Sequence, residues 1–331
     1  MQRAASLERW IASHFPNREF SLSPASVDAS FRRYFRVRFD DGKTVIAMDA
    51  PPQHEDCRPF VKVAQLMLQA GVHVPKVIAQ RLEEGFLLLS DLGTVTYLVA
   101  LNDANAPSLF NDAVRALLLW QLASRPDTLP AYDEALLRRE LELFPQWYIG
   151  RHLGVVLSAS QKETLEACFT LIIRSNLAQP KVYVHRDYMP RNLMVTEPNP
   201  GVLDFQDAVY GPISYDVVSL FKDAFLSWKE EQVLDWTIRY WERARAARLP
   251  VRHDFAEFYR DFEWMGLQRH LKVLGIFARI CYRDAKSGYL EDTPRFVRYV
   301  REVGERYSAL LPLVRLLDEL DRRIPGGERA L

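Results

Sequence analysis

Glycine is scarce near the start of this chain, the first one being Gly42. The preceding segment therefore holds no glycine-rich turn of the kind whose bare backbone wraps a phosphate. Cysteine is scarcer still. Cys57, Cys168 and Cys281 lie far apart and never form a Cys-x-x-Cys pair, which fits reduced, buried thiols in the cytoplasm better than a disulfide framework. Net charge is absent, with 43 Lys+Arg against 43 Asp+Glu. No overall field favours nucleic acid or an anionic membrane, and no protein partner is evident. No segment is apolar for the roughly 18 residues that a membrane span needs. Residues 1–15 interrupt their apolar positions with Arg3, Glu8 and Arg9, unlike a signal peptide. A cytoplasmic, soluble protein is the expectation.

What the chain does have is a contrast of texture. Its 331 residues exceed one average domain, and an apolar share of 48% suits a sizeable core. Residues 27–49 are strand-like: Arg33-Tyr34-Phe35-Arg36-Val37-Arg38-Phe39 alternates, Asp40-Asp41-Gly42 turns, and Thr44-Val45-Ile46-Ala47-Met48 runs again. Residues 60–70 carry Phe60, Val63, Ala64, Leu66 and Met67 at helical spacing and stop at Gly71. Residues 74–79 and 85–89 read as two more strands, so this part predicts a small antiparallel sheet with one helix on it. After Ser90-Asp91-Leu92-Gly93 the spacing turns helical, over 113–124, 135–151, 160–178 and nearly everything beyond 217. A boundary at residues 90–93 divides the chain into 1–92 and 93–331.

The exception in the helical part is 180–207, which is short-stranded and rich in turns. Lys181-Val182-Tyr183-Val184 leads to His185-Arg186-Asp187-Tyr188-Met189-Pro190-Arg191-Asn192. Two short apolar runs follow, Leu193-Met194-Val195 and Val202-Leu203, joined by Glu197-Pro198-Asn199-Pro200-Gly201. If they pair as a hairpin, Asn192 enters the ladder where Asp204 leaves it, and the two stand side by side. Magnesium prefers oxygen ligands and keeps several waters, so this carboxamide and carboxylate are the candidate metal ligands. Asp187, just ahead of them, is the candidate catalytic base, accepting the proton of an attacking hydroxyl and orienting it toward a γ-phosphorus. His185 is read as a brace for the loop. His-Arg-Asp-x-x-x-x-Asn followed by Asp-Phe is the residue order of a phosphoryl-transfer loop.

The stretch Val202-Leu203-Asp204-Phe205-Gln206-Asp207-Ala208, with Gly211-Pro212 and Tyr215-Asp216-Val217 after it, resembles the aminoglycoside-phosphotransferase branch of the kinase-like superfamily. The resemblance implies an α+β, two-lobed protein-kinase-like fold with a small antiparallel-sheet N-lobe, a hinge and a larger, mostly helical C-lobe. It implies ATP and Mg²⁺ as cofactors, adenine near Leu89, Asp91 and Leu92, and Asp216, like His185, as structural support. Protein kinases match less well: Met189 stands where they carry lysine, Gln206 follows Phe205 in place of glycine, and there is no Ala-Pro-Glu anchor. Within the branch, Ser30-Phe31-Arg32-Arg33-Tyr34-Phe35-Arg36, Met48-Asp49-Ala50-Pro51-Pro52 and Gln268-Arg269-His270-Leu271-Lys272-Val273-Leu274-Gly275-Ile276-Phe277 are most similar to the sugar kinases of peptidoglycan recycling. These phosphorylate the anomeric hydroxyl of N-acetylmuramate and N-acetylglucosamine, so the implied partner is a small-molecule amino sugar.

Two departures bear on how phosphate is held. With no glycine loop, Ser30, the amides around Phe31, and Arg32 or Arg33 become the candidate phosphate cradle. The strand at 44–49 also has no interior lysine; Met48 stands near the position where a phosphate-pairing lysine is usual. For the acceptor, residues 251–300 hold nine Lys/Arg against seven Asp/Glu, which disfavours a polycationic substrate. Arg191, Arg269 and Lys272 are candidates for reading an acid-bearing sugar, and Tyr259, Phe262 and Trp264 for stacking on its ring. Two other readings stay open. An aminoglycoside- or choline-type kinase predicts an acidic pocket. A nucleotide-binding pseudokinase is favoured by the missing lysine and opposed by the intact Asp187, Asn192 and Asp204.

Overall fold

The computed structural model describes residues 2–26 and 31–322. Helix α1 (Gln2–His14) is followed by β1 (Phe20–Ser26), β2 (Arg33–Phe39), β3 (Thr44–Asp49), α2 (Arg58–Gln69), β4 (Val77–Arg81) and β5 (Phe86–Ser90). The strands form one antiparallel sheet in the order β1-β2-β3-β5-β4. Alternation decides its two faces. Phe35, Val37 and Phe39, with Ala47, Phe86 and Leu88, meet Leu7, Trp10 and Ile11 of α1, whose i, i+3, i+4 spacing makes one apolar stripe. Each of the valine, leucine, isoleucine and phenylalanine side chains among them contributes about 1.5–3 kcal/mol when fully buried. Tyr34, Arg36, Ile46 and Leu89 point to the other face, where they line a cavity. Helix α2 buries Phe60, Val63, Ala64 and Met67 and ends before Gly71, whose φ of 82° stops it.

β1 is not anticipated from the sequence. Ser21, Ser23 and Pro24 conceal it, and only an edge strand tolerates the missing N–H of that proline; its register shifts between Pro24 and Ser26. β4 begins later than expected because Pro75 cannot join the ladder.

The chain continues through α3 (Tyr97–Ala100), α4 (Ala106–Leu122), α5 (Glu134–Leu141), a π-helical turn (Phe144–His152), α6 (Ala159–Leu177) and β6 (Lys181–Val184). A 3-10 turn (Pro190–Asn192), β7 (Leu193–Met194), β8 (Gly201–Val202) and β9 (Val209–Pro212) come next. Helices α7 (Tyr215–Phe221), α8 (Glu230–Ala246), α9 (Phe255–Asp284), α10 (Thr293–Arg306) and α11 (Leu311–Asp321) complete the described chain. The single helix expected over 135–151 is broken: Pro145 lacks an N–H, and the wide π turn absorbs the gap. An antiparallel sheet followed by a mostly helical remainder is the arrangement expected. Two compact units form, one from residues 2–120 and 190–207 and the other from 121–189 and 208–322. No described helix is long and apolar enough to cross a membrane.

Candidate functional site

In the first unit, β7 and β8 pair as expected, Leu193 opposite Val202 and Met194 opposite Gly201. One further bond extends the ladder, from the Leu203 N–H to the Asn192 carbonyl at 2.9 Å. Asn192 and Asp204 therefore flank the open end, where the Asn192 Nδ2 donates to Asp204 Oδ2 at 3.4 Å. Gln206, in the place where glycine is usual, donates its Nε2 to Asp204 Oδ1 at 2.8 Å. Asp204 has a left-handed φ of 63°, a conformation that costs a residue other than glycine on the order of 1–3 kcal/mol and gathers at functional sites. Phe205 is fully buried and packs against Phe60 of α2, ring centres 4.8 Å apart.

This hairpin end lies on the wall of a cavity of about 410 Å³, within the range of small-ligand sites. Leu89, Asp91 and Leu92 line it, as do Arg191, Asn192 and Asp204, and the strand residues Tyr34, Arg36 and Ile46. The carboxamide of Asn192 and the carboxylate of Asp204 are hard donors that fit a small divalent cation. The described residues contain no cluster of three or more His, Cys, Asp or Glu, so such an ion would complete its shell with phosphate and water.

The cavity also holds an ion pair that the sequence did not disclose. Arg36 clasps Asp91 at 2.6 and 3.1 Å and donates to the Gly93 carbonyl at 2.8 Å. Burial would raise the Asp91 carboxyl, but the Arg36 guanidinium and the Gly93 N–H hold it below its ordinary value. Of the expected phosphate cradle, Ser30 lies outside the described residues. Arg32 lines the cavity and pairs with Glu55 at 2.8 Å. Phe31 and Arg33 are not among its lining residues: Phe31 stacks on His54, and Arg33 pairs with the fully buried Asp49.

In the second unit, the buried strand β6 pairs with β9 and delivers His185, itself fully buried. Asp216 heads α7 and accepts the N–H of His185 at 2.7 Å and that of Arg186 at 3.0 Å. Burial pushes the Asp216 carboxyl up to about 7 against those two N–H groups. The His185 Nδ1 accepts the Asp187 N–H at 3.2 Å, and the Met189 N–H returns to the Asp187 carbonyl at 2.9 Å. The loop carrying Asp187 is thus fixed through its backbone, with Arg186 at a left-handed φ of 78°.

Arg186 also anchors the loop outward, pairing with Glu140 at 2.6 Å. Glu140 pairs with Lys272 at 3.0 Å and accepts from Tyr132, while Lys272 donates to the Tyr215 hydroxyl at 2.9 Å. Burial would raise the Glu140 carboxyl, but Lys272 and Arg186 hold it below its ordinary value. Lys272 is thus turned inward. Arg269 is nearly inaccessible too, donating to the Met189 sulfur at 3.7 Å and the Lys222 carbonyl at 3.4 Å. Phe262 and Trp264 are buried in the packing of α9, and Tyr259 stacks on Phe262. Glu140 is missed by sequence reasoning, although its i, i+3, i+4 relation to Leu137 and Leu141 on a buried stripe is a usable signal.

Residues 21–253 match the model of a family described as the phosphotransferase enzyme family. An N-acetylmuramate/N-acetylglucosamine kinase of Pseudomonas putida is 57% identical over 94% of this chain and 90% of its own length. One from Pseudomonas aeruginosa is 56% identical over 93% and 90%. Among solved structures, an ADP-bound aminoglycoside phosphotransferase, APH(2'')-Ib, superposes with a TM-score of 0.60 at 13% identity, covering 90% of this chain and 98% of its own. At that identity the likeness speaks for the fold alone, a protein-kinase-like one.

Proposed function

The chain belongs to the phosphotransferase enzyme family, and from that premise we propose that it transfers the γ-phosphoryl group of ATP to the anomeric hydroxyl of N-acetylmuramate or N-acetylglucosamine. The product is the sugar 1-phosphate, made in the cytoplasm for cell-wall recycling. The observation that carries the transfer chemistry is the meeting of Asn192 with Asp204 on the cavity wall. Two relatives named for these sugars, each more than half identical over most of both chains, support the acceptor. Residues 1–92 act as the nucleotide-binding lobe, hinged at 90–93, and residues 93–331 as the catalytic and acceptor-binding lobe.

The roles follow from chemistry. Leu89 and Leu92 receive the adenine, with Asp91 tying the hinge to Arg36. Asn192 and Asp204 would hold Mg²⁺, which would supply charge neutralisation at the transferred phosphoryl group. Asp187 orients the acceptor hydroxyl and takes its proton. Its backbone is set by His185 and Asp216, so little reorganisation is left for the moment of transfer. Arg191 reads the lactyl carboxylate, for which a planar guanidinium is suited. Arg269 and Lys272 act through the groups they hold, Met189 and Glu140.

Phosphorus NMR after incubation with ATP, Mg²⁺ and a panel of amino sugars tests the proposal. A sugar 1-phosphate signal from either amino sugar is expected. Turnover only with choline or an aminoglycoside overturns the acceptor, and normal ATP binding without turnover on any acceptor overturns the enzyme.

A further inference from the structure

Phosphotransferases of this architecture grip the α/β-phosphates with a strand lysine that is itself set by a helix glutamate. The lysine position here is filled by Met48, which pairs with Tyr34 across β2 and β3 and is fully buried. Among the described residues no lysine lines the cavity; the cations that do are Arg32, Arg36 and Arg191. Arg36 stands at the hinge end, where Asp91 and the Gly93 carbonyl take up three of its donor contacts. Arg191 sits beside Asn192 in the 3-10 turn. Arg32 is at the opposite end of β2 from that hinge. It precedes Tyr34 by two residues, and Arg32, Tyr34 and Arg36 all line the cavity, so the three share one face.

We propose that Arg32, set by Glu55, is the cation that grips the nucleotide's α- and β-phosphates in place of the absent lysine–glutamate pair; this rests on the phosphotransferase reading above. A residue one rung along the neighbouring strand is a diagonal neighbour, about 7–8 Å between backbones. A guanidinium spans that diagonal and arrives near the place a lysine on β3 would occupy. The pair is sheltered, its side chains only 15% and 17% exposed at 2.8 Å, which separates it from the solvated pairs of the surface. Helix α2 itself holds no glutamate, and Glu55 lies three residues before its first residue, Arg58. A guanidinium carries five N–H donors in a rigid fork, so one edge can hold a carboxylate while another meets phosphate oxygens. Arg33, next in sequence, points to Asp49 and leaves the task to Arg32.

Calorimetric titration of ADP and of adenosine, with Mg²⁺, into the full-length wild type and the variants Arg32→Ala, Arg32→Lys and Glu55→Gln tests this without any turnover. Arg32→Ala is expected to lose roughly 10- to 100-fold in ADP affinity, the worth of a charged hydrogen bond or two. Adenosine affinity, which also reports that the variant is folded, stays within about twofold. Arg32→Lys restores part of the ADP affinity, and Glu55→Gln loses a smaller factor for ADP alone. Unchanged ADP binding by Arg32→Ala, or equal weakening of ADP and adenosine, overturns the assignment of Arg32 and leaves the phosphotransferase reading standing. A wild type that binds neither ADP nor ATP overturns both.

Discussion

The hairpin end that carries Asn192 and Asp204 closes over 12 residues, whereas the loop that carries Asp187 is held from far away in sequence. Asp216 reaches the loop from 31 residues downstream and Glu140 from 46 residues upstream. Glu140 in turn depends on Lys272, on the buried helix α9. The first region needs only two rungs of ladder and a turn to set its side chains. The second is set through backbone N–H groups and a buried cation–carboxylate network, so its geometry draws on the packing of a whole unit. On the proposed roles, the cation ligands are placed locally, whereas the base is braced from several directions.

Substitutions test that contrast, beginning with the largest effect. Asp187→Asn should lower transfer by about 10²- to 10⁴-fold, the span of a lost general base, with ADP affinity from calorimetry nearly intact. A parallel loss of affinity would mean that Asp187 shapes the nucleotide site instead. Glu140→Ala leaves Arg186 and Lys272 without their carboxylate, and chemical unfolding should show a loss of about 3–5 kcal/mol. Its magnesium titration should not move. Asp204→Asn should do the opposite: the magnesium requirement rises by at least about 10-fold, and the unfolding midpoint stays near that of the wild type. If each variant shifted both readouts, the two regions would not be independently held.

Asp216→Asn offers only one carbonyl to the two N–H groups of His185 and Arg186, at a cost of about 1–3 kcal/mol. It also removes a pH dependence. The folded Asp216 carboxyl stands at about 7, above the ordinary carboxylate value, so between those limits the folded chain holds a proton that the unfolded chain releases. The stability this confers is full in acid and is lost as pH rises toward about 7, with a slope of at most about 1.4 kcal/mol per pH unit. Thermal unfolding across that window should be flatter for the asparagine variant. The smallest effect is expected from Arg191→Ala: roughly a 10-fold rise in KM for N-acetylmuramate, and little change for N-acetylglucosamine, which lacks the carboxylate.

Much of the sheet and of the hairpin was legible because alternation and turn chemistry are local. The β2–β3 hairpin announces itself through Phe35, Val37 and Phe39 and through Gly42, whose φ is 79°; the ladder around Asn192 and Asp204 does so through two short apolar runs. β1 was illegible because an edge strand tolerates Pro24 and its serines. The inward turn of Arg269 and Lys272 was illegible for another reason. Helix α9 is buried almost continuously from Phe258 to Ala278, so its periodicity does not say which polar side chains face a partner and which face solvent. The stripe of Leu137 and Leu141 marks Glu140 as buried, but nothing local marks its cationic partners, since Arg186 and Lys272 lie far along the chain.

The left-handed backbone at Asp204 narrows the sequences that can occupy this position. Glycine enters that conformation freely but brings no ligand; asparagine and aspartate are the other residues that visit it at tolerable cost. Glutamate would keep the charge, yet it is a residue the conformation disfavours. Backbone and chemistry together thus admit a single acid here. An exchange at Asp204 must therefore give up the charge, as asparagine would, or strain the backbone, as glutamate would.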